Sequence, residues 1–152
     1  MQHKSDEAAQ RLAQDVWDSC LGSRVTRLHR LLSLRYDQAL AEVGLTLPQV
    51  EILAALVMRA RAVRPAEMGR NLVVGRSAMS RKLAALQDRG WVETVERSES
   101  GRSMSFVITP AGRDMLAAAS QAWRRVQAET ERQLGPGAVV EVDAWLARLD
   151  SD

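Results

Sequence analysis

Apolar residues recur at helical spacing through the first third of the chain. From about residue 6 to residue 43 they return every three or four positions, with arginines between them, which is the pattern of an amphipathic helix. Such a helix would be roughly 55 Å long, far longer than an ordinary globular helix. Because long helices with an apolar seam usually pack on another chain, the pattern predicts a helix used for association, with a kink or break at Gly22.

A series of shorter elements follows in the middle of the chain. Gly44 and Thr46 are typical of a helix stop and a helix start, and the apolar spacing predicts helices at about 48–59, 65–72 and 76–89. Two runs on either side of a polar tip then indicate a β-hairpin. In its second strand, Met104, Phe106 and Ile108 alternate with polar or smaller residues and are expected to face the core.

The last third of the chain returns to helical spacing. Thr109 and Pro110 are typical of a helix start, and the apolar pattern continues to about residue 134. A Gly-Pro-Gly break then precedes a final amphipathic helix at about 139–149. The complete pattern predicts a mainly α protein with one small β-hairpin (α+β), in the order of a winged helix-turn-helix with long helices at both ends.

The predicted helix at 76–89 is polar at its beginning and apolar at its end. In helix-turn-helix proteins the N-terminal part of the second helix enters the major groove, and its C-terminal part packs on the core. Serines let the backbone approach phosphates, and cations reach phosphate oxygens or guanine. The alternative is that Ser77 caps the helix and the cations are ordinary exposed charges. The candidate DNA-contacting residues of this helix are Arg76, Ser77, Ser80, Arg81 and Lys82.

The charge distribution supports an anionic partner. The net charge is only +2, but residues 59–102 hold ten Lys and Arg against five Asp and Glu, whereas the remainder holds eleven against fourteen. A basic middle between acidic flanks is typical of nucleic-acid binding, with a solvated helical face as the alternative. Arg97 and Arg102 bracket the hairpin tip, where an arginine can enter a minor groove; the alternative is a charge-balanced turn with Glu96 and Glu99.

Three stretches together resemble the MarR family of winged helix-turn-helix transcriptional regulators. They are LTLPQVEILAAL (45–56), AEMGRNLVVGRSAMSRKLAALQDRGWV (66–92) and GRSMSFVITPAGR (101–113). The third resembles the family's wing pattern, D-x-R followed by L-T-x-x-G, with Arg102, Thr109 and Gly112 at the Arg, Thr and Gly positions. Ser100 stands where Asp is usual, so the brace between Asp and Arg is missing unless Glu99 replaces it.

The resemblance implies a homodimer that binds an inverted-repeat operator in double-stranded DNA. Residues 1–43 and 110–152 would be dimerisation helices, and residues 44–109 the DNA-binding lobe, within one MarR-type domain. The family match would place Arg102 in the minor groove. The residues that it would place in the major groove are Ser77, Ala78, Ser80 and Arg81.

The resemblance also implies a sensor, commonly for a small aromatic or lipophilic effector whose binding releases a repressor from DNA. Trp17, Arg24 and Tyr36 are candidate effector-binding residues, because an aromatic ring beside a guanidinium suits an aromatic carboxylate; the alternative is a dimer seam with a solvated face. Other members sense peroxide through a cysteine in the first helix. That position falls near Gly22, about 200° around a helix from Cys20, so Cys20 is either a thiol sensor or an inert small hydrophobe.

Several other classes of function are disfavoured. His3, His29 and a single cysteine are too few for a zinc site, and the sequence predicts no cofactor. It has no nucleophile–base pair or phosphate loop placed by motif, so we expect no enzyme. Without a long apolar run or an apolar leader, we expect a cytoplasmic protein, bacterial or archaeal and associated with the nucleoid, with no membrane partner. The remaining alternative is a winged-helix protein-interaction adaptor that does not bind DNA.

Overall fold

The computed structural model describes residues 2–96 and 104–150 and divides the chain into two compact units, Met1–Arg35 and Tyr36–Asp152. The first unit holds α1 (Gln2–Ser19) and the beginning of α2 (Leu21–Leu40). The predicted break at Gly22 is therefore wrong, because the interruption lies at Cys20.

Side chains rather than a glycine stabilise this break. The Ser19 hydroxyl donates a hydrogen bond to the Asp15 carbonyl oxygen at 2.8 Å. The Arg24 guanidinium donates to the carbonyl oxygens of Asp18 and Cys20. Carbonyls at a helix end need such partners, and side-chain donors of this kind leave no periodic signal in the sequence.

The second unit continues from the end of α2. A 3-10 turn (Ala41–Val43) leads to Gly44, whose φ of +73° suits glycine. α3 (Leu47–Arg59) begins after Thr46, whose N–H donates to the Gln49 side chain at 3.0 Å in a capping box. The predicted stop and start are confirmed. Among the described residues no single helix is long and apolar enough to cross a membrane. The segments Leu21–Val43 and Leu47–Arg59, bent by 75° relative to each other, are together long and apolar enough, but only length and composition favour a membrane span there.

Two helices and a hairpin follow. They are α4 (Pro65–Asn71), α5 (Arg76–Asp88), β1 (Val92–Glu96) and β2 (Met104–Ile108), and the two strands are antiparallel, with Val92 opposite Ile108. A third segment joins the far edge of β2, where Val63 and Phe106 exchange two backbone hydrogen bonds of 2.9 Å. The hairpin is confirmed. The Val63 bridge was not predicted, because a single paired residue has no alternation to detect.

The inward face of β2 differs from the prediction. Phe106 and Ile108 are buried, but Met104 is 60% exposed and Ser105 is 3% exposed. Met104 lies beyond the Val63 bridge toward the hairpin tip, where the strand has passed the core. The expected inward position of Met104 is therefore wrong.

The C-terminal helices are three rather than two. α6 (Pro110–Ala118) and α7 (Ser120–Leu134) are separated at Ala119, and α8 (Ala138–Leu149) follows. The prediction of one helix up to residue 134 is therefore wrong. Ala119 is 1% exposed, and because alanine is the strongest helix former, nothing local in the sequence marks this break.

A tight corner joins the base of the hairpin to α6. The Thr109 N–H donates to the Trp91 carbonyl oxygen at 3.0 Å. The Thr109 hydroxyl donates to the Gly90 carbonyl oxygen at 2.7 Å and accepts from the Gly112 N–H at 3.1 Å. A Cβ on Gly112 would lie 2.1 Å from the Trp91 carbonyl oxygen. Only glycine therefore fits three residues after this threonine.

Replacing Gly112 by Ala is expected to lower the free energy of unfolding by about 1–3 kcal/mol, because the added methyl group overlaps backbone. Urea denaturation followed by circular dichroism measures the change. Gly22→Ala is the matched control, since its Cβ would meet only the Cys20 sulfur at 3.8 Å, and alanine inside a helix is favoured over glycine by about 0.5–1 kcal/mol. Unfolding of Gly112→Ala at the wild-type urea concentration would contradict the prediction.

Candidate nucleic-acid interface

α4 and α5 form a helix-turn-helix whose turn is held by a close backbone approach. The Val74 N–H donates to the Gly69 carbonyl oxygen at 2.8 Å, and a Cβ on Gly69 would lie 2.5 Å from the Val74 carbonyl oxygen. Val73, in the same turn, has a φ of +51° and is 88% exposed. A β-branched residue is strained at positive φ. The turn is thus tight at Gly69 and strained at Val73.

α5 separates its residues into a buried face and an exposed face. Met79, Leu83 and Leu86 are at most 1% exposed, which confirms the predicted anchor. Lys82 and Ala78 are half-buried. The remaining candidate DNA-contacting residues of the helix are exposed, namely Arg76, Ser77, Ser80 and Arg81.

Ser77 is not the cap of this helix. Gly75 occupies the N-cap position and no side-chain hydrogen bond caps the helix, so the alternative role of Ser77 is wrong. Among the residues that the structure describes, no ion pair engages Arg76, Arg81 or Lys82. Arg76 and Arg81 of α5 are therefore exposed to solvent.

A cleft of about 450 Å³ lies between α5, the beginning of α4 and strand β2. Its apolar wall includes the buried Phe106 and the exposed Met104. Its polar side chains belong to Arg64, Arg76, Ser80 and Gln87. The sequence does not mark Arg64 as a site residue, because its only local signal is a position before a proline.

Some of the positive charge of residues 59–102 is neutralised by an ion pair within the protein. The Glu67 carboxylate lies 2.5 Å from the Arg61 guanidinium and 3.3 Å from that of Arg59. The hydrogen bond from Arg61 is the main reason that the pKa of Glu67 is lowered. These two arginines are therefore engaged by a carboxylate, unlike the cations of α5.

The hairpin tip carries the other predicted contacts. Arg97 and Arg102, together with Glu99 and Ser100 at the missing brace, lie outside the described residues. Their proposed place at the minor groove remains a prediction.

The three candidate effector residues are not brought together. Trp17, 84% exposed, and Arg24 line one groove of about 380 Å³ in the first unit. Tyr36 belongs to the second unit, where it is 8% exposed and its hydroxyl donates to the Gln127 side-chain oxygen. Burial raises the pKa of Tyr36.

Cys20 precedes the first residue of α2 and is partly exposed. Its sulfur accepts a hydrogen bond from the Ser23 N–H at 3.5 Å. Hydrogen bonds from the Ser23 hydroxyl and then from its N–H lower the pKa of the Cys20 thiol, as expected for a cysteine at a helix beginning. The thiol is thus not enclosed in an apolar core.

The sequence matches a known family model and known transcriptional repressors. Residues 45–112 match the family model described as a winged helix DNA-binding domain. The chain is 30% identical over 135 residues to the HTH-type transcriptional repressor Rv2887 of Mycobacterium tuberculosis, covering 89% of this chain and 96% of that protein. The HTH-type transcriptional repressor Mb2911 of Mycobacterium bovis matches with the same identity and coverage.

Solved structures agree with this assignment. The M. tuberculosis transcriptional regulator MosR superposes with a TM-score of 0.77 at 26% identity, covering 90% of this chain and 99% of that chain. A mutant of E. coli MarR complexed with operator DNA has a TM-score of 0.77 at 20% identity, covering 89% and 96%. The helix-turn-helix and its hairpin thus define a winged helix-turn-helix transcriptional regulator. The chain belongs to the MarR family of these regulators.

Replacing Val73 by Gly is expected to raise the free energy of unfolding by about 1 kcal/mol, because glycine removes the penalty of the left-handed conformation. Chemical denaturation monitored by tryptophan fluorescence measures it. Val74→Gly is the matched control and should be destabilised, because Val74 packs against the core and lacks a positive φ. A destabilised Val73→Gly variant would show that the side chain matters more than the strain.

Proposed function

We propose that this protein is a dimeric repressor that binds an inverted-repeat operator and is released by a small aromatic or lipophilic effector. The observation that carries the proposal is the division of α5, whose buried residues anchor it while Arg76, Ser80 and Arg81 remain exposed. A helix held in this way can enter a major groove without losing its place in the core. The family membership supports the same conclusion.

In this proposal the residues of α5 divide into two roles. Ser77, Ala78, Ser80 and Arg81 face the base edges of the major groove, and Arg76 and Lys82 contact phosphates. Arg97 and Arg102 extend the contact to the minor groove from the hairpin tip. Residues 44–109 would form the DNA-binding lobe.

Exposed apolar side chains near both ends of the chain support a dimer. On α1, Leu12 is 64% and Val16 is 43% exposed; on α8, Trp145, Leu146 and Leu149 are 48%, 51% and 77% exposed. Fully burying one such side chain is worth about 1.5–3 kcal/mol, so leaving these faces in water is unfavourable. A second copy of this chain would cover them through residues 1–43 and 110–152, and a two-fold dimer matches an inverted repeat.

The effector is proposed to be an aromatic carboxylate or a lipophilic aromatic. Trp17 and Arg24 offer a ring and a guanidinium in one groove, whereas Tyr36 would contribute only after its bond to Gln127 opens. Oxidative control through Cys20 is the second candidate, favoured by the partial exposure and lowered pKa of its thiol. Release of DNA by peroxide from the wild-type protein but not from Cys20→Ser would favour the second candidate; release by salicylate from both would favour the first.

Replacing Arg81 by Ala is expected to lose about 1–3 kcal/mol of specific DNA binding, because a contact to base edges is removed. The operator is first obtained by genomic-fragment selection with the wild-type protein, and affinity is then measured by fluorescence anisotropy at fixed salt. Arg113→Ala removes an equal charge from α6 and should bind normally. Wild-type affinity in Arg81→Ala would refute the groove assignment, and a wild-type protein without salt-dependent DNA binding would favour the adaptor alternative.

Replacing Leu146 by Glu is expected to convert the dimer to a monomer, because a charge would enter an apolar interface. Sedimentation equilibrium gives the mass directly. Arg148→Glu, on the same helix, is the control and should remain dimeric. A wild-type protein that sediments as a monomer at the concentrations at which it binds DNA would rule out the proposed assembly.

A further inference from the structure

The cleft between α5 and β2 combines an apolar wall with two guanidiniums. Phe106 and Met104 form the wall on the β2 side, and Ser80 lies on the α5 side. Arg76, at the beginning of α5, and Arg64, before the first residue of α4, supply the charge. Its volume of about 450 Å³ is open to a partner that is anionic along one edge and apolar along another.

Arg64 is held in place by its neighbours in sequence. Val63 is fixed to Phe106 by two backbone hydrogen bonds of 2.9 Å, and Pro65 restricts the conformation of the residue before it. Arg64 accordingly has extended backbone angles (φ −78°, ψ 146°), and its side chain makes no capping hydrogen bond. The backbone at Arg64 is therefore fixed beside strand β2, while its guanidinium makes no ion pair with any residue that the structure describes.

The charge of Arg64 is not neutralised by the carboxylate nearest in sequence. Glu67 pairs with Arg61 and Arg59 instead. Within residues 2–96 and 104–150, no ion pair involves Arg64 or Arg76. The cleft therefore presents two unneutralised cations.

The geometry of duplex DNA indicates which part of it would occupy the cleft. A helix in the major groove and a hairpin at the adjacent minor groove stand on either side of one sugar–phosphate strand, because that strand is the wall between the two grooves. The strand must then pass between α5 and β2. Phosphates match the two guanidiniums, and the sugars offer apolar surface to Met104, which is exposed in the cleft.

We infer that this cleft seats the sugar–phosphate strand between the two grooves, and that Arg64 is a phosphate-binding residue acting with Arg76. The inference rests on the proposed DNA-binding function and adds a contact that positions the protein without reading sequence. Arg64 therefore contributes equally to binding of operator and of unrelated DNA.

The test measures the salt dependence of binding for wild type, Arg64→Ala, Arg64→Lys and Arg76→Ala. Each is titrated with the selected operator and with an unrelated duplex of equal length, at four salt concentrations. Each lost phosphate contact is expected to reduce the slope of log K against log [salt] by about 0.9, and thus by about twice that in a dimer. Arg64→Ala should lose affinity for both duplexes by the same factor, and Arg64→Lys should retain most of the slope.

Arg70→Ala is the matched control, because Arg70 is exposed on α4, six residues after Arg64, but does not line the cleft; its slope should equal that of wild type. An unchanged slope in Arg64→Ala, with a steep wild-type slope, overturns the inference and leaves the proposed function intact. Loss confined to the operator also overturns it, since Arg64 would then read bases. A wild-type protein that binds neither duplex at low salt refutes the proposed function itself. Thermal melts of the variants verify that each is folded.

Discussion

The burial of Met79, Leu83 and Leu86 determines the direction of every other side chain on α5. All three are at most 1% exposed, and burying side chains of this size contributes about 1.5–3 kcal/mol each. The sum exceeds the 1–3 kcal/mol typical of a single base contact. The helix is therefore oriented by the core before it meets DNA, so the exposed residues need no folding step to reach a groove.

The hairpin is held by hydrogen bonds at two places, one directly after α5 and one directly before α4. At its base, Thr109 bonds to the backbone of Gly90 and Trp91, directly after α5. At its far edge, Phe106 is bonded to Val63 in the α3–α4 connection. Strand β2 is thus fixed from two directions, and the side chains on either wall of the cleft keep their separation.

Local signals in the sequence were sufficient for helices α3, α4 and α5. The Gly44 stop, the Thr46 start and the apolar face of α5 depend on neighbours within a few residues, and each is observed as predicted. The first break lies at Cys20 rather than at the predicted Gly22, because nearby side chains rather than a glycine bond the free carbonyl oxygens. The break at Ala119 has no local signal, because it lies against the core. Val63 could not be predicted as part of the sheet, because its partner Phe106 is distant in sequence.

The candidate site was predictable to the same extent. The exposed residues of α5 follow from periodicity, since removing the buried positions leaves them. Arg64 does not, because its place beside the cleft is a consequence of the Val63 bridge rather than of its own surroundings in sequence. A count of charges likewise does not reveal that Glu67 pairs with Arg59 and Arg61. This pairing nevertheless determines which cations are available to bind an anion.

The pairing of Val63 with Phe106 gives the cleft a fixed width. Two hydrogen bonds of 2.9 Å prevent strand β2 from moving away from the helix-turn-helix. In the inferred complex, a duplex whose grooves match this opening binds without distortion, whereas one with wider or narrower grooves must deform, at a cost that depends on its local stiffness. Base pairs that the protein never touches would then influence how well a site is bound.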